Sequence, residues 1–258
     1  MMAMLKRAVQ IGSGLTGADP RALVGALRGA PRFVRHLAEY SRRVPLGAPF
    51  RPHVGDLFPV LTDYEAEAGT ARGHYFHQDL WFARKICAAR PARHLDIGSR
   101  VDGFVAHLLT FMPVTIIDVR PMESKVEGLT FVQADATRLD AFADGSVESV
   151  STLHAVEHFG LGRYGDPIAP DACFTAMRSL ARVLAPGGRL YFSVPIGRER
   201  VEFNAHRVFD PLTVLRSFSD LRLASFAAVD DAGDLQTATE PEAWRDARYA
   251  CGLFELTK

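Results

Sequence analysis

Two apolar runs of the sequence are associated with aspartates that could bind a nucleoside. Asp96 lies within His94–Ile97, which stops at Gly98, and Asp118 follows the β-branched run Val114–Ile117. Asp118 comes about 20 residues after Asp96, the separation at which a carboxylate on a second strand reaches the ribose of a nucleotide held over the first turn. The pattern therefore predicts a site for an adenosine-containing cofactor.

The residues around these acids predict the elements that position them. Gly98 lacks a side chain, so the backbone can turn sharply there and a ligand can approach it. Phe104, Leu108 and Phe111 recur at helical spacing and predict a helix that packs on the first strand through this face. Pro113 ends that helix before the second strand. The segment is therefore predicted to be strand, tight turn, helix and strand.

Strand and helix patterns alternate through most of the remaining chain. Further strands are predicted at residues 129–133, 146–153, 189–194, 221–229 and 249–256. Helices are predicted at about residues 74–89, 171–184 and 210–218. The last two strands follow each other without a helix between them. This order predicts an α/β fold with a doubly wound, mostly parallel seven-stranded sheet and an antiparallel terminal strand.

Charge, hydropathy and cysteine content argue against several classes of protein. The 258 residues carry 30 basic and 30 acidic side chains, so no overall charge favours nucleic acid as a partner. No apolar run approaches the roughly 18–20 residues that span a bilayer. The cysteines Cys87, Cys173 and Cys251 are widely spaced and odd in number, which is not typical of a disulfide framework or a zinc motif. We therefore expect a reduced, cytoplasmic protein.

Composition divides the chain into two predicted parts. Residues 1–73 are predicted to be a helical, loop-rich extension, and residues 74–258 a catalytic domain. Asp19-Pro20 is a typical helix start, and the helix is expected to end near Arg43. Two shorter helices fit equally well, because Pro31 interrupts the apolar pattern.

The amino-terminal part is strongly basic. Residues 1–51 carry nine basic side chains and two acidic ones. This surface could be a solvated face, a contact with anionic lipid or with a phosphate-bearing substrate, or a seam with an acidic part of this chain or of a partner subunit. Peripheral membrane contact through the basic helices is thus one of several hypotheses, and the sequence does not indicate an oligomeric state.

Five phrases of the sequence resemble those of class I S-adenosylmethionine-dependent methyltransferases. They are LDIGS, IIDVR, FVQADAT, LHAVEH and RVLAPGGRLYFSVP. Within that superfamily, DIGSRVDGF, VEHFGLGRYGDPI and FNAHRVF most resemble an uncharacterised bacterial and nematode family of methyltransferase-like proteins. The resemblance covers about residues 74–258. It implies a Rossmann-like fold, S-adenosyl-L-methionine as cofactor and methyl transfer as activity.

The resemblance also implies a role for each matching residue. Asp96 would lie by the methionyl amino group, and Asp118 would accept hydrogen bonds from the ribose hydroxyls. The adjacent Val119 would also contact the cofactor. Further cofactor contacts would come from Gly98 and Ser99 through their backbone, Asp135 at the adenine amine, Ala136 at an adenine ring nitrogen and His154 at the methylthio end. Each acid has a simpler alternative role, which is to cap the helix that follows it.

The first turn departs from the pattern of this superfamily. Glycines usually recur at alternate positions after the acid, but Arg100 and Asp102 occupy the later two positions and only Gly103 follows. Arg100 would either point away or bind the carboxylate of the cofactor. The departure leaves open a catalytically silent fold used for binding or scaffolding. A nicotinamide-dependent oxidoreductase is a further alternative, although its G-x-G-x-x-G turn is absent.

Methylation of a hydroxyl requires a base, because the acceptor oxygen loses a proton. The candidate bases are His158, His206 and Asp166. The candidate acceptor-binding residues are Glu157 (also a possible base), Arg163, Tyr164, Asn204 and Arg207. The loop Phe159–Pro170 contains three glycines and two prolines and is expected to be a lid.

The acceptor class is predicted by a missing signature. An Asn or Asp followed by two prolines and an aromatic residue, typical of amide and nucleobase N-methylation, does not follow the fourth strand. Oxygen of a polar small molecule or glycan is therefore the favoured acceptor. Glu157-His158 could hold a divalent ion, but no third or fourth ligand follows at a sequence spacing typical of a metal-binding motif. We therefore expect no metal.

Overall fold

The computed structural model describes residues 20–123 and 125–258. Within the compact unit Ala71–Lys258, the apolar runs form a large sheet and a small hairpin. The strands are β1 (His94–Ile97), β2 (Val114–Asp118), β3 (Leu129–Gln133), β4 (Val147–Leu153), β5 (Leu184–Ile196), β6 (Arg200–Glu202), β7 (His206–Val208), β8 (Arg222–Val229), β9 (Leu235–Gln236) and β10 (Ala250–Thr257).

The sheet has the strand order β3-β2-β1-β4-β5-β10-β8-β9. The first five strands in this order pair in parallel, and β10 lies antiparallel between β5 and β8. This confirms the predicted mostly parallel sheet with an antiparallel terminal strand. The short edge strand β9 and the separate hairpin β6–β7 were not predicted. The strands β2 and β3 lie on one side of β1, and β4 and β5 lie on the other, so the strand order reverses between β1 and β4. The carboxyl ends of β1 and β4 therefore flank the switch point where such sheets bind ligands.

Helices cover both faces of the sheet. The α-helices of the described residues are α1 (Pro20–Arg43), which belongs to the unit up to Thr70, and α2 (His74–Ala89), α3 (Ala106–Leu109), α4 (Ala172–Val183) and α5 (Pro211–Ser217), which belong to the unit that contains the sheet. Buried residues of α2 and α3 pack in one apolar cluster with Ile116, and those of α4 and α5 pack in a second cluster with Ile117. Adjacent residues of β2 thus face opposite layers, as the two-residue period of a strand requires.

One residue of the predicted helix after β1 has a different environment. Phe104 and Leu108 are buried as predicted, but Phe111 is 43% exposed. The helix begins with a wide turn at Val101–Val105 and ends at Leu109, so Phe111 lies beyond it and does not share the buried face. That part of the prediction was wrong because the helical period does not continue past Leu109.

The unit up to Thr70 contains α1, one continuous helix with Pro31 inside it rather than two shorter helices. The predicted cap Asp19 lies outside the described residues. Leu27 and Val34 of α1 are more than 60% exposed among arginines, and contact with anionic lipid remains a prediction. None of the helices in the described ranges has the length and apolar composition required to cross a membrane.

A buried chain of hydrogen bonds joins β1 to β4. Ser151 Oγ donates to Asp96 Oδ1 at 2.5 Å, so it accepts from His94 Nε2–H at 2.8 Å. The other ring nitrogen, Nδ1, then accepts from Ser149 Oγ at 2.8 Å. Ser99 donates to Asp96 through both its N–H and its hydroxyl. The Ser99 hydroxyl also accepts from the Leu153 N–H, which extends the series of hydrogen bonds to the end of β4. The turn after β1 is thereby fixed to the end of β4.

Burial shifts the pKa values of two members of this chain in opposite directions. Burial lowers the pKa of His94 to about 3, so the imidazole is neutral. Burial also raises the pKa of Asp96 to about 6, although hydrogen bonds from Ser151 and Ser99 favour the carboxylate. At neutral pH the network therefore consists of a neutral imidazole, three hydroxyls and one carboxylate, each paired as its chemistry requires.

We expect Ser151→Ala to lower the free energy of unfolding by about 1–3 kcal/mol. The substitution leaves the His94 Nε2–H without its acceptor and takes one donor from the buried Asp96. Denaturant unfolding followed by circular dichroism measures the loss. Ser146→Ala is the matched control, because its hydroxyl makes an exposed bond to Ala143 O and its removal should cost less than about 0.5 kcal/mol. Equal losses for the two variants would contradict the role assigned to the network.

Candidate active site

The carboxyl ends of β1, β2, β3 and β4 open onto one cavity of about 250 Å³. Six of the nine predicted cofactor residues line it. They are Gly98, Asp118, Val119, Asp135, Ala136 and His154. The loop after β4 supplies much of the remaining wall, including the predicted residues His158, Tyr164 and Asp166. The structure thus brings together side chains that the sequence distributes over about 70 positions.

Gly98 forms part of the wall where β1 ends. Its φ is +67°, a conformation that side chains rarely adopt, and its N–H donates to Ile117 O at 3.0 Å. A Cβ at this position would lie 3.0 Å from the Cβ of Ala155. Glycine therefore allows both the turn and the close approach of the segment after β4.

Asp118, at the end of β2, is paired with Arg120. Its Oδ1 accepts from the Arg120 N–H at 2.8 Å and from Nε at 3.0 Å, and its Oδ2 accepts from Nη2 at 2.5 Å. The Arg120 guanidinium also lies 4.7 Å from the ring centre of Tyr164. A ligand that binds Asp118 through hydroxyl groups must share or replace the contacts of Arg120. Arg120 was not singled out in the sequence, although its position two residues after the acid was the available signal.

Asp96, Ser99 and Arg100 lie outside the wall of this cavity. Asp96 is fully buried behind the turn, where Ser99 and Ser151 occupy its oxygens. Arg100 makes an ion pair with Asp102 at 2.9 Å on the surface and lies over the ring of Tyr75. The turn residues that depart from the glycine pattern therefore leave the cavity open.

His154 and Glu157 form a buried pair after β4. His154 has a φ of +51°, in the left-handed region, and its Nδ1 lies 2.7 Å from Glu157 Oε1. Burial opposes charge on His154, but Cys251 and Glu157 raise its pKa well above the usual value. Burial likewise opposes the Glu157 carboxylate, and His154 holds its pKa below the usual range. In this pair the Nδ1–H of His154 donates to the Glu157 carboxylate.

His158 lies on the cavity wall as a neutral imidazole. Its Nδ1–H donates to Ala205 O at 2.6 Å, which leaves the lone pair on Nε2. Burial lowers its pKa, and the nearby Glu157 carboxylate opposes this effect. His206 lies outside the cavity wall, with its ring centre 6.5 Å from that of His158. Of these two candidate bases, His158 lines the cavity and His206 does not.

Asp166 organises the loop after β4. Its Oδ2 accepts from the N–H of Gly160 at 2.8 Å and of Gly162 at 3.4 Å, and its Oδ1 accepts from the N–H of Tyr164 at 3.2 Å. Three backbone hydrogen bonds hold this carboxylate in one orientation. Asp166 thus contributes to the wall chiefly by shaping it.

The predicted acceptor arginines hold this loop in place. Arg207 donates to Phe159 O at 2.7 Å and to Pro170 O at 3.0 Å, near both ends of the loop. Arg163 donates to Ala205 O at 2.9 Å, which ties the loop to the β6–β7 hairpin. Asn204, in the turn of that hairpin, is exposed and lies outside the cavity wall. Acceptor binding by these three residues remains a prediction.

Comparisons with known proteins give the fold a reference. Residues 122–238 match a family described as "Caenorhabditis protein of unknown function, DUF268". This match covers less than half of the chain, so it supports only in part the resemblance to a bacterial and nematode family. No curated protein matches the chain.

Solved structures match much of the chain. A proposed sarcosine dimethylglycine methyltransferase from Galdieria sulphuraria is 14% identical, with 70% of this chain and 86% of that chain covered and a TM-score of 0.50. NodS, an N-methyltransferase from Bradyrhizobium japonicum WM9 in complex with S-adenosyl-L-homocysteine, is 15% identical over 71% and 87% of the two chains, with a TM-score of 0.48. The first similarity shows the Rossmann-like methyltransferase fold, as predicted, and at this identity it shows the fold alone.

A third match extends over more of the chain. It is the 1,6-didemethyltoxoflavin-N1-methyltransferase of Burkholderia thailandensis, with bound 1,6-didemethyltoxoflavin and S-adenosylhomocysteine. It is 18% identical and covers 93% of this chain and 92% of its own, with a TM-score of 0.48.

We expect Gly98→Ala to be more destabilising than Gly187→Ala. Both glycines have a positive φ, so each substitution costs about 1–2 kcal/mol in backbone strain. A Cβ at Gly187 meets no atom within 4 Å, whereas one at Gly98 crowds Ala155. Denaturant unfolding should show an extra loss of at least about 1 kcal/mol for Gly98→Ala. Losses of equal size would mean that the turn tolerates a side chain.

Proposed function

We propose that this chain binds S-adenosyl-L-methionine at the carboxyl edge of the sheet and transfers its methyl group to an oxygen of a polar small molecule or a sugar-containing acceptor. One observation carries the proposal. Gly98, Asp118 and Asp135 come from the ends of three neighbouring parallel strands and line the same cavity. This is the edge where doubly wound sheets bind nucleotides.

The adenosyl half of the cofactor fits the residues after β2 and β3. Asp118 can accept two hydroxyl hydrogen bonds through its two oxygens, with charge assistance. Asp135 is exposed, and within the described residues only its Oδ1 has a hydrogen bond, from the Thr137 N–H at 2.8 Å. Its other oxygen is therefore suited to an exocyclic amine, and the neighbouring Ala136 N–H to a ring nitrogen.

The methionyl half would rest on the turn after β1. Gly98 exposes its backbone there, and Asp96 supports the turn from behind by accepting hydrogen bonds from Ser99. We assign Asp96 to this support rather than to direct contact with the amino group, because it is fully buried. His154, which follows β4 and lines the same cavity, would border the methylthio end.

The bound cofactor supplies an electrophilic methyl group on a sulfonium sulfur. The protein must hold the acceptor oxygen in line with that methyl group, and one of its side chains must take the proton that the acceptor hydroxyl loses. His158 suits the second task, because its pKa is lowered by burial and its Nε2 carries the lone pair. Asp166 is less suited, because its oxygens accept backbone hydrogen bonds, and His206 is not on the cavity wall.

The rim of the cavity favours a polar acceptor. Two guanidinium groups contact the Tyr164 ring, with Arg120 at 4.7 Å and Arg163 at 5.2 Å from its centre. An aromatic ring with adjacent hydrogen-bond donors is suited to hydroxylated or anionic groups. This arrangement supports an acceptor of the sugar or phosphorylated small-molecule class.

The alternative of a catalytically silent fold was motivated by two residues in the first turn that stand where glycines are usual. Arg100 and Asp102 replace the usual glycines, but they pair with each other on the surface. Neither residue narrows the cavity. The proposal therefore retains methyl transfer as the function of the site.

We expect Asp118→Ala to weaken binding of S-adenosyl-L-methionine at least tenfold, because charge-assisted hydrogen bonds contribute about 1.5–3 kcal/mol. Isothermal titration calorimetry of the full chain measures the change. Asp102→Ala is the matched control, since this exposed acid belongs to the neighbouring turn and does not line the cavity. Absence of binding to the unsubstituted protein would contradict the proposed cofactor, and equal effects of the two variants would contradict the role of Asp118.

We expect His158→Gln to lower kcat by about 10²–10⁴-fold while leaving cofactor binding unchanged. With the unsubstituted protein, kcat/KM should rise with pH through a pKa below the usual histidine value and then stay level, because the base must be neutral and burial lowers its pKa. The assay offers pools of sugars and phosphosugars as acceptors and measures methyl transfer as the S-adenosylhomocysteine released. A variant with an unchanged rate and pH profile would show that His158 is not the base.

A further inference from the structure

Three metal-binding side chains converge although they are far apart in the sequence. His74 is the first residue of α2, His154 follows β4, and Cys251 lies near the start of β10. One ligand atom from each lies within 4.8 Å of the other two. Because β10 runs antiparallel to its neighbours, its first residues reach the carboxyl edge of the sheet, where β4 ends.

His154 presents an unpartnered nitrogen in this cluster. Its side chain is 4% exposed, and Nδ1 is occupied by Glu157 at 2.7 Å. Within the described residues, the buried Nε2 has no hydrogen-bond partner. Buried ring nitrogens are rarely left unpaired, and an unseen ion or water is one of the usual reasons.

The Glu157–His154 bond is the typical outer contact of a metal-binding histidine. Such ligands commonly donate one ring N–H to a carboxylate, which fixes the ring and directs the other nitrogen at the ion. Glu157 is 1% exposed and does not interact with solvent, so its contact with His154 serves to orient the imidazole ring. The second oxygen of Glu157 and the Nε2 of His206 are also buried without partners in the described part of the chain.

We propose that His74, His154 and Cys251 bind one Zn²⁺-class ion, with Glu157 as the residue that orients His154. One thiolate and two imidazoles match the ligand preference of zinc and related borderline metals, whereas Ca²⁺ and Mg²⁺ require oxygen ligands. Three protein ligands leave a fourth position for water or substrate. His154 also lines the cavity, so the ion would border the proposed acceptor site. Binding of the ion does not require the proposed methyl transfer.

Ion binding requires His74 to turn. The rings of His74 and His154 are nearly parallel, at 9°, with their centres 5.2 Å apart. Two parallel rings cannot both direct in-plane lone pairs at one ion, and ligands around tetrahedral zinc lie about 3.3–3.6 Å apart. His74 is only partly buried, whereas His154 and Cys251 are held by the core. His74 is therefore the ligand that moves when the ion binds.

The structure also offers a second interpretation of the same atoms. Without an ion, Cys251 and His154 would be a buried thiol–imidazole pair that only stabilises the end of β4. This interpretation predicts no stoichiometric metal binding. A titration with metal alone therefore separates the two.

The experiment uses the full chain, freed of metal with a chelator and kept reduced. Competition with a chromophoric chelator should show one equivalent of Zn²⁺ bound, and Co²⁺ should give the thiolate charge-transfer band and the visible bands of a tetrahedral site. Cys251→Ser should abolish the charge-transfer band and weaken Zn²⁺ binding at least 100-fold. Glu157→Gln should weaken it about 10–100-fold through loss of orientation.

Two further variants control for folding and for adventitious thiol binding. His74→Ala removes a partly exposed ligand without emptying the core, so it should retain the thermal transition and still lose at least tenfold in Zn²⁺ affinity. Cys87→Ser removes an exposed thiol outside the cluster and should change neither property. Substoichiometric binding, a Co²⁺ complex without the thiolate band, or undiminished affinity in folded His74→Ala would overturn the proposal. Because no cofactor is present, failure of the proposed methyl transfer would not produce any of these outcomes.

Discussion

The hydrogen-bonded chain between β1 and β4 is the constraint on which the cavity depends. A carboxylate can remain inside the sheet only if its lone pairs are satisfied, since an unpaired buried polar group costs about 1–3 kcal/mol. Asp96 meets this requirement with donors from Ser99 and Ser151, and Ser151 in turn satisfies His94. These bonds define one conformation of the turn, which places the Gly98 backbone at the cavity. The acid of the first strand thus acts through the turn that it supports.

The same requirement shapes the loop after β4. A long glycine- and proline-containing segment has few internal backbone hydrogen bonds, so side chains must replace them. Asp166 accepts from three of its N–H groups, and Arg207 donates to carbonyls near both ends. The loop therefore has a defined shape without regular structure. Polar residues that look available for an acceptor in the sequence are, in the fold, largely engaged by the backbone.

Two neighbouring polar regions meet at His154. One side of this residue borders the cavity formed by the parallel strands, and its ring also faces the cluster that includes His74 and Cys251. The antiparallel direction of β10 is the physical reason for this proximity. A parallel strand at that position would have placed its first residues at the opposite edge of the sheet. The reversal of the terminal strand therefore adds chemistry to the edge that already holds the cavity.

The sequence by itself determined seven of the strands, the helices that cover them, the mostly parallel sheet and the acids at the strand ends. These features follow from apolar periodicity, glycine and proline positions, and the order of elements, which act over a few residues. Asp118, Asp135 and His158 could be placed near one edge for the same reason. The division of the chain and the use of its basic amino-terminal part were predicted but are not tested by the fold.

Only the tertiary structure decided which polar groups are available to a ligand. The sequence could not reveal that Asp96 faces the network between β1 and β4, that Arg120 covers Asp118, or that His74 and Cys251 approach His154. Each outcome depends on partners that are remote in the chain or on competition among nearby donors and acceptors. Local pattern sets where a side chain begins, whereas packing and the pairing of buried polar groups set what it contacts.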